Sequence, residues 1–276
     1  MDLFAGLDIG STATKCVLLN EKREIVQADV APSGANCRRT AHRLLAQLLE
    51  RAGAGPGDVR YAITTGYGRR LAELGHEIVS EITANATGAR WLSPPGKTVR
   101  TVIDIGGQDS KVISLDEQGR VVNFAMNDKC AAGTGRFLEV IAQRLELNLE
   151  DLGKLHFAAK HELTINSVCT VFAESEVVSL LAQGREVPDI VAGIHRSVAK
   201  RVGQLVRSVG VVESVMFDGG PAQNRGVAAT LSEELGVELL VPDAPQLATA
   251  LGAALIACER AERGARGEPI SLAVEH

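Results

Sequence analysis

Two stretches of this chain end an apolar run on aspartate and then turn through small polar residues. They read Asp8-Ile9-Gly10-Ser11-Thr12-Ala13-Thr14-Lys15 and Asp104-Ile105-Gly106-Gly107-Gln108-Asp109-Ser110-Lys111. A turn of this kind presents backbone N–H groups with no bulky side chain in the way, a concavity that accepts phosphate oxygens. Gly10, Ser11, Thr12 and Lys15 line the first such turn, and Gly106, Gly107, Gln108 and Asp109 the second. An aspartate in contact with phosphate would repel it. Asp8 and Asp104 are therefore expected to hold Mg2+, directly or through water, because hard cations prefer carboxylate oxygen. Gln108 is expected to orient the attacking water. One Asp-Ile-Gly turn is as readily a plain hairpin, but here Asp, Ile, Gly and Lys recur in register and Thr14 falls opposite Ser110. Folding alone gives no reason for that recurrence, so the pair argues for phosphate binding. Phe217-Asp218-Gly219-Gly220 closes a further apolar run, and Gly219 and Gly220 let backbone approach a flat adenosine ring. Glu174 and Glu176 read as cleft carboxylates or, in preference, as helix first-turn charges, and Arg69 as structural or partner-facing.

The elements that must hold these turns follow from periodicity. Residues 3–9, 15–19 and 25–30 read as strands, and 38–50 as a helix with Ala41, Leu44, Leu45, Leu48 and Leu49 on one face. Residues 61–65 return to strand and stop at Gly66-Tyr67-Gly68; a helix-rich region then runs to the break at Ser93-Pro94-Pro95-Gly96. The pattern restarts with strands at 99–105, 111–115 and 121–126 and a helix opening near Gly133. A long helix at 189–209, strands at 211–217 and 236–241, and a last helix at 244–263 follow; the tail from Gly264 reads as poorly anchored. The restart is an internal duplication. It predicts an α/β fold of two lobes, 1–96 and 97–276, facing each other across a nucleotide cleft and clamping one nucleotide tail from both sides.

Bulk properties narrow the partners. A chain of 276 residues can bury a sizeable core. Aromatic residues make up only 3%, too few for single-strand stacking platforms, and the net charge of −5 favours neither nucleic acid nor an anionic membrane. The apolar stretches are too short to cross a bilayer, and the first residues lack a basic start and cleavage site, so a cytoplasmic protein is expected. In that compartment the five cysteines are not expected to form structural disulfides, and the lack of a CxxC pair argues against a single-chain zinc site. By residue type alone each cysteine reads as a small buried apolar residue, a reading kept for Cys16 and Cys258; Cys37 has no visible partner.

The order of two phosphate hairpins and a late Gly-Gly resembles the actin, Hsp70 and sugar-kinase superfamily, whose lobes are ribonuclease H-like. Three strings narrow the resemblance: Thr65-Gly66-Tyr67-Gly68-Arg69, Asn127-Asp128-Lys129-Cys130-Ala131-Ala132-Gly133-Thr134-Gly135-Arg136-Phe137, and Cys169-Thr170-Val171-Phe172-Ala173-Glu174-Ser175-Glu176. They are similar to the activator ATPases of 2-hydroxyacyl-CoA dehydratases, a family that also takes in ATPase subunits of benzoyl-CoA reductases. The resemblance runs from Leu3 to about Ile256.

It implies an ATP-driven electron donor that binds ATP/ADP and Mg2+. An electron would come from a ferredoxin or flavodoxin and pass to a partner 2-hydroxyacyl-CoA dehydratase. It also reverses the reading of Cys130 and Cys169, which become ligands of a 4Fe–4S cluster. Each lies near a helix start, where a thiolate is favoured. Such a cluster normally takes four thiolates, which two copies related by a two-fold axis supply, so a homodimer sharing one cluster is expected. Gly133 and Thr134 are expected to reach the nucleotide as well as shape the helix start. Three readings compete. A benzoyl-CoA reductase subunit would work in unlike pairs. A small-molecule kinase would use Asp104 or Asp109 as base but leaves the cysteine strings without purpose. A non-hydrolysing assembly factor would bind ATP and carry no cluster.

Overall fold

The structure is a computed structural model and describes residues 2–165 and 169–272. β1 (Leu3–Ile9) is buried at every position, the pattern of a central strand covered on both faces. It pairs antiparallel with β2 (Ala13–Leu19) and parallel with β4 (Val59–Thr65), and β3 (Ile25–Pro32) and β5 (Glu77–Ile78) complete a sheet of order β3-β2-β1-β4-β5. The second sheet contains β6 (Thr101–Ile105), β7 (Ser110–Leu115), β8 (Val121–Asn127), β9 (Val215–Asp218) and β10 (Leu239–Leu240), in the order β8-β7-β6-β9-β10. β6 is antiparallel to β7 and parallel to β9, so this sheet repeats the first strand for strand. The duplication read from the two hairpins is thus a duplication of whole ribonuclease H-like sheets.

α1 (Cys37–Arg51) buries the five residues that its spacing predicts and is capped by the Asn36 side chain, which accepts from the Arg39 N–H. α2 (Glu81–Trp91) follows β5. Between β8 and β9 lie α3 (Gly135–Arg144), α4 (Asp151–His156), α5 (Thr170–Ala182) and α6 (Val187–Val209). α7 (Arg225–Leu235) precedes β10, and α8 (Ala248–Glu262) comes last. None of the helices among the described residues is long and apolar enough to cross a membrane.

The chain divides into two units. One is Met1–Thr98 with Glu117–Val121 and Gln246–His276, and the other is Val99–Asp116 with Val122–Pro245. The expected division at 96/97 assigned the last helix to the second lobe, whereas α8 packs into the first. The reason is close backbone approach. A Cβ added at Gly6 of β1 would lie 2.1 Å from the Ala250 carbonyl oxygen, one at Gly88 of α2 2.0 Å from that of Ala248, and one at Gly252 1.7 Å from that of Ala84. Bare backbone on three elements lets an alanine-rich helix sit where a larger side chain would hold it off.

The first unit's apolar clusters gather Leu7, Leu45 and Ile63 with the alanines of α8. The second unit's cluster gathers Ile103, Phe137, Ile194 and Phe217. The tail is better anchored than expected as far as Ile270, which is buried, and the Gly267 N–H donates to the Arg60 carbonyl. Residues 273–276 lie outside the described residues. β9 starts later than the expected 211–217 strand, because Val211 and Val212 are exposed and Val212 bonds the Thr101 hydroxyl instead of a neighbouring strand.

Candidate functional site

In the first unit the β1–β2 turn is closed by the Gly10 N–H on the Ala13 carbonyl at 3.1 Å. Ser11 at its tip is exposed, and Gly10 and Thr12 are half-buried. Asp8 is nearly buried and is met by Lys15 Nζ at 2.9 Å, so these two expected site residues neutralise each other in the turn. Ser33 ties the turn to the segment before α1. Its hydroxyl donates to the Gly10 carbonyl at 2.6 Å and lies 2.9 Å from the Thr14 hydroxyl. The Thr65–Arg69 turn closes against the same place. Gly66 has φ +92°, and a Cβ there would lie 2.6 Å from Asp8 Oδ1, so only glycine fits without strain. The Arg69 guanidinium folds back onto the Gly66 carbonyl at 2.8 Å.

The second unit repeats this with different polar groups. Gly106 N–H donates to the Asp109 carbonyl at 2.9 Å, Gln108 is exposed, and Gly107 is half-buried. Lys111 is buried and lies 3.3 Å from Asp104 and 2.8 Å from Asp109. Gly219 occupies the place Gly66 has in the first unit. Its φ is +85°, and a Cβ would lie 2.7 Å from Asp104 Oδ1. Gly220 is exposed and opens a short 3-10 turn. Asp218, fully buried, stands in register with Asp104 on the neighbouring strand. Sequence reasoning passed over Asp218, although its place just before Gly219 was the available signal.

Gly133 and Thr134 are buried at the start of α3, where the Thr134 hydroxyl donates to the Ala131 carbonyl at 2.7 Å. The first N–H groups of α3 do not point to open space: Gly135 donates to the Gly106 carbonyl at 2.9 Å and Arg136 to the Gly107 carbonyl at 2.8 Å. The Ser110 hydroxyl donates to the Gly133 carbonyl at 2.7 Å. The segment that carries Cys130 is therefore bonded to the second hairpin, a link for which the sequence held no signal.

Cys130 follows β8 and Cys169 is the N-cap of α5, and both are half-exposed and outside any disulfide. Glu174 and Glu176 lie beyond the first turn of α5, which holds no acidic residue, so they are not the first-turn charges expected; Glu174 is 3.7 Å from Arg144. Among the described residues no three His, Cys, Asp or Glu side chains group as a metal site, and one copy offers two of the four thiols that a cluster of the expected kind takes. In contrast, burial pushes the Cys16 thiol up and the Cys258 thiol up to about 12, so both stay protonated, as expected of packing residues.

Away from the hairpins, His195 is fully buried, 5.1 Å ring to ring from His156, with Nε2 3.2 Å from the Asn224 amide. Burial, reinforced by His156 and Arg196, lowers its pKa to about 3. It is a neutral packing histidine at ordinary pH.

The BadF/BadG/BcrA/BcrD ATPase family matches residues 5–257, nearly the whole chain. The chain belongs to this ATPase family. Among its relatives, the (R)-2-hydroxyglutaryl-CoA dehydratase activating ATPase of Acidaminococcus fermentans is 47% identical over 94% of this chain and 98% of its own length. The 2-hydroxyisocaproyl-CoA dehydratase activator of Clostridioides difficile is 46% identical over 93% and 95%. The solved structure of the activator of the 2-hydroxyisocaproyl-CoA dehydratase from Clostridium difficile with bound ADPNP superposes at TM-score 0.89, with 45% identity over 95% of this chain and 96% of that one. A ROK family glucokinase from Streptomyces griseus, 14% identical at TM-score 0.58 over 93% of this chain and 99% of that one, shares the fold alone. The duplicated sheets of this chain thus share the fold of that kinase.

Proposed function

We propose that this ATPase is the activator of a 2-hydroxyacyl-CoA dehydratase and acts as a homodimer that hands the dehydratase one electron at the cost of ATP. The observation that carries the reading is the setting of the two cysteines. Each is half-exposed, Cys130 between β8 and α3 and Cys169 at the N-cap of α5, and each has large exposed apolar side chains near it in the chain. Val122, Phe124 and Met126 of β8 precede Cys130, and Val171 and Phe172 follow Cys169 after Thr170, all 44% exposed or more. Exposed apolar surface of this kind calls for cover, and a second copy supplies both the cover and the missing thiols. Cys130 and Cys169 of each copy would hold one 4Fe–4S cluster, which when bound stores and releases a single electron.

Around the nucleotide, the N–H groups of Gly10–Thr12 and of Gly106–Asp109 would hold the phosphates. Asp8 and Asp104 would hold Mg2+, with Lys15 and Lys111 keeping the carboxylates aimed. Gln108, exposed at the tip of its turn, would orient the attacking water, and Gly219 and Gly220 would take the adenosine. Gly133 and Thr134 shape the α3 start that adjoins the second hairpin. The electron would be supplied by a ferredoxin or flavodoxin.

The deciding experiment is the iron and acid-labile sulfide content of anaerobically purified protein, with Cys130→Ser beside it. About four irons per dimer, lost in the variant, is the expected result. A colourless, iron-free dimer that still hydrolyses ATP would turn the reading toward a phosphotransferase, and tight ATP binding without hydrolysis toward an assembly factor.

A further inference from the structure

The two units use an equivalent hydroxyl for an equivalent task. In the first, Thr14 and Ser33 together tie the hairpin to the segment that leads into α1. In the second, Ser110, which occupies the register position of Thr14, donates to Gly133 and so ties its hairpin to the segment that leads into α3. In the second unit that segment also carries Cys130, three residues before Gly133. Between them the chain is tightly turned. Thr134 N–H and hydroxyl both bond the Ala131 carbonyl, and the Asn127 amide holds the Cys130 carbonyl at 3.0 Å. The carbonyls of Gly106 and Gly107 face the α3 donors, so a backbone adjustment of this turn is felt at Gly135 and Arg136.

We infer that Ser110 is a positioning residue: it transmits nucleotide occupancy of the second hairpin to the Cys130 segment. This rests on the reading that the hairpin takes phosphate. Ser110 itself touches neither nucleotide nor cysteine in this account. Its hydroxyl, 2.7 Å from the Gly133 carbonyl in a buried setting, makes hairpin and segment move together.

The test is amide hydrogen exchange of the peptide spanning residues 130–137, with and without a non-hydrolysable ATP analogue, in anaerobically purified full-length protein. In the wild type the analogue should change exchange at Thr134, whose N–H closes the turn on Ala131, by about fivefold or more. Ser110→Ala should bind the analogue within about twofold of wild type yet lose that change, and Ser110→Thr, which keeps a hydroxyl, should restore it. A full analogue-dependent change in Ser110→Ala overturns the inference and leaves the phosphate reading standing. Analogue binding by the wild type with no change at 130–137 does the same, and decides the matter even if Ser110→Ala fails to fold. A wild type that binds no analogue removes the phosphate reading, and the coupling with it.

Discussion

The first hairpin sets a buried aspartate, Asp8, against a partly exposed lysine, Lys15, whereas the second buries its lysine, Lys111, between Asp104 and Asp109. The chain segments behind them differ in the same sense. Behind the first, a few residues lead straight into α1; behind the second, the described residues of 128–214 hold four helices together with Cys130 and Cys169. Duplication supplied two equal frames. The second frame accumulated charge at its turn and length behind it, so the two hairpins need not contribute alike.

Replacing each lysine tests that asymmetry most strongly. Lys111→Met leaves buried carboxylates uncompensated and should cost about 3–5 kcal/mol, read as a fall in the urea midpoint. Lys15→Met, which leaves the single buried carboxylate of Asp8 and removes a lysine already partly solvated, should cost less, about 1–3 kcal/mol. Equal losses would erase the distinction between the turns.

Acid should also single out the second unit. His195 keeps its proton off in the folded state down to about pH 3, while the unfolded chain takes one up near its ordinary value of 6.5. The stability that this neutral histidine allows is complete above pH 6.5 and falls as pH drops from there, by up to about 1.4 kcal/mol per pH unit. Thermal unfolding between pH 7 and pH 5 should show the decline, and His195→Gln should flatten it. An unchanged slope in that variant would place the acid sensitivity elsewhere. The smallest effect is expected from Thr14→Val, about 1 kcal/mol, since Ser33 keeps its bond to Gly10 when the Thr14 hydroxyl goes.

The strands, α1 and the two hairpins were legible because they are written locally, as a period of two, a period of 3.6, and a motif stated twice. What escaped was written in pairs far apart along the chain. Ser110 and Gly133 are 23 residues apart, and Thr14 and Ser33 are 19. A serine that donates across such a gap carries no periodic mark. The membership of α8 was hidden for a related reason: its glycine and alanines read as a generic buried helix, and only their distances to Ala84 and Gly6 show which sheet they cover. The cysteines were the reverse case. Residue type alone read both as packing groups, and the strings around them, together with their exposure, set them apart from Cys16 and Cys258.

The contact of Gly6 with α8 also fixes an order in time. β1 meets its covering helix only when residues 248–262 have been made, long after β1 itself. Residues 122–245, which supply most of the second unit, are translated before that helix exists. The earlier-made half thus finishes later, and a nascent chain stalled before Ala248 carries an uncovered β1 and α2, the exposed apolar surface that chaperones bind.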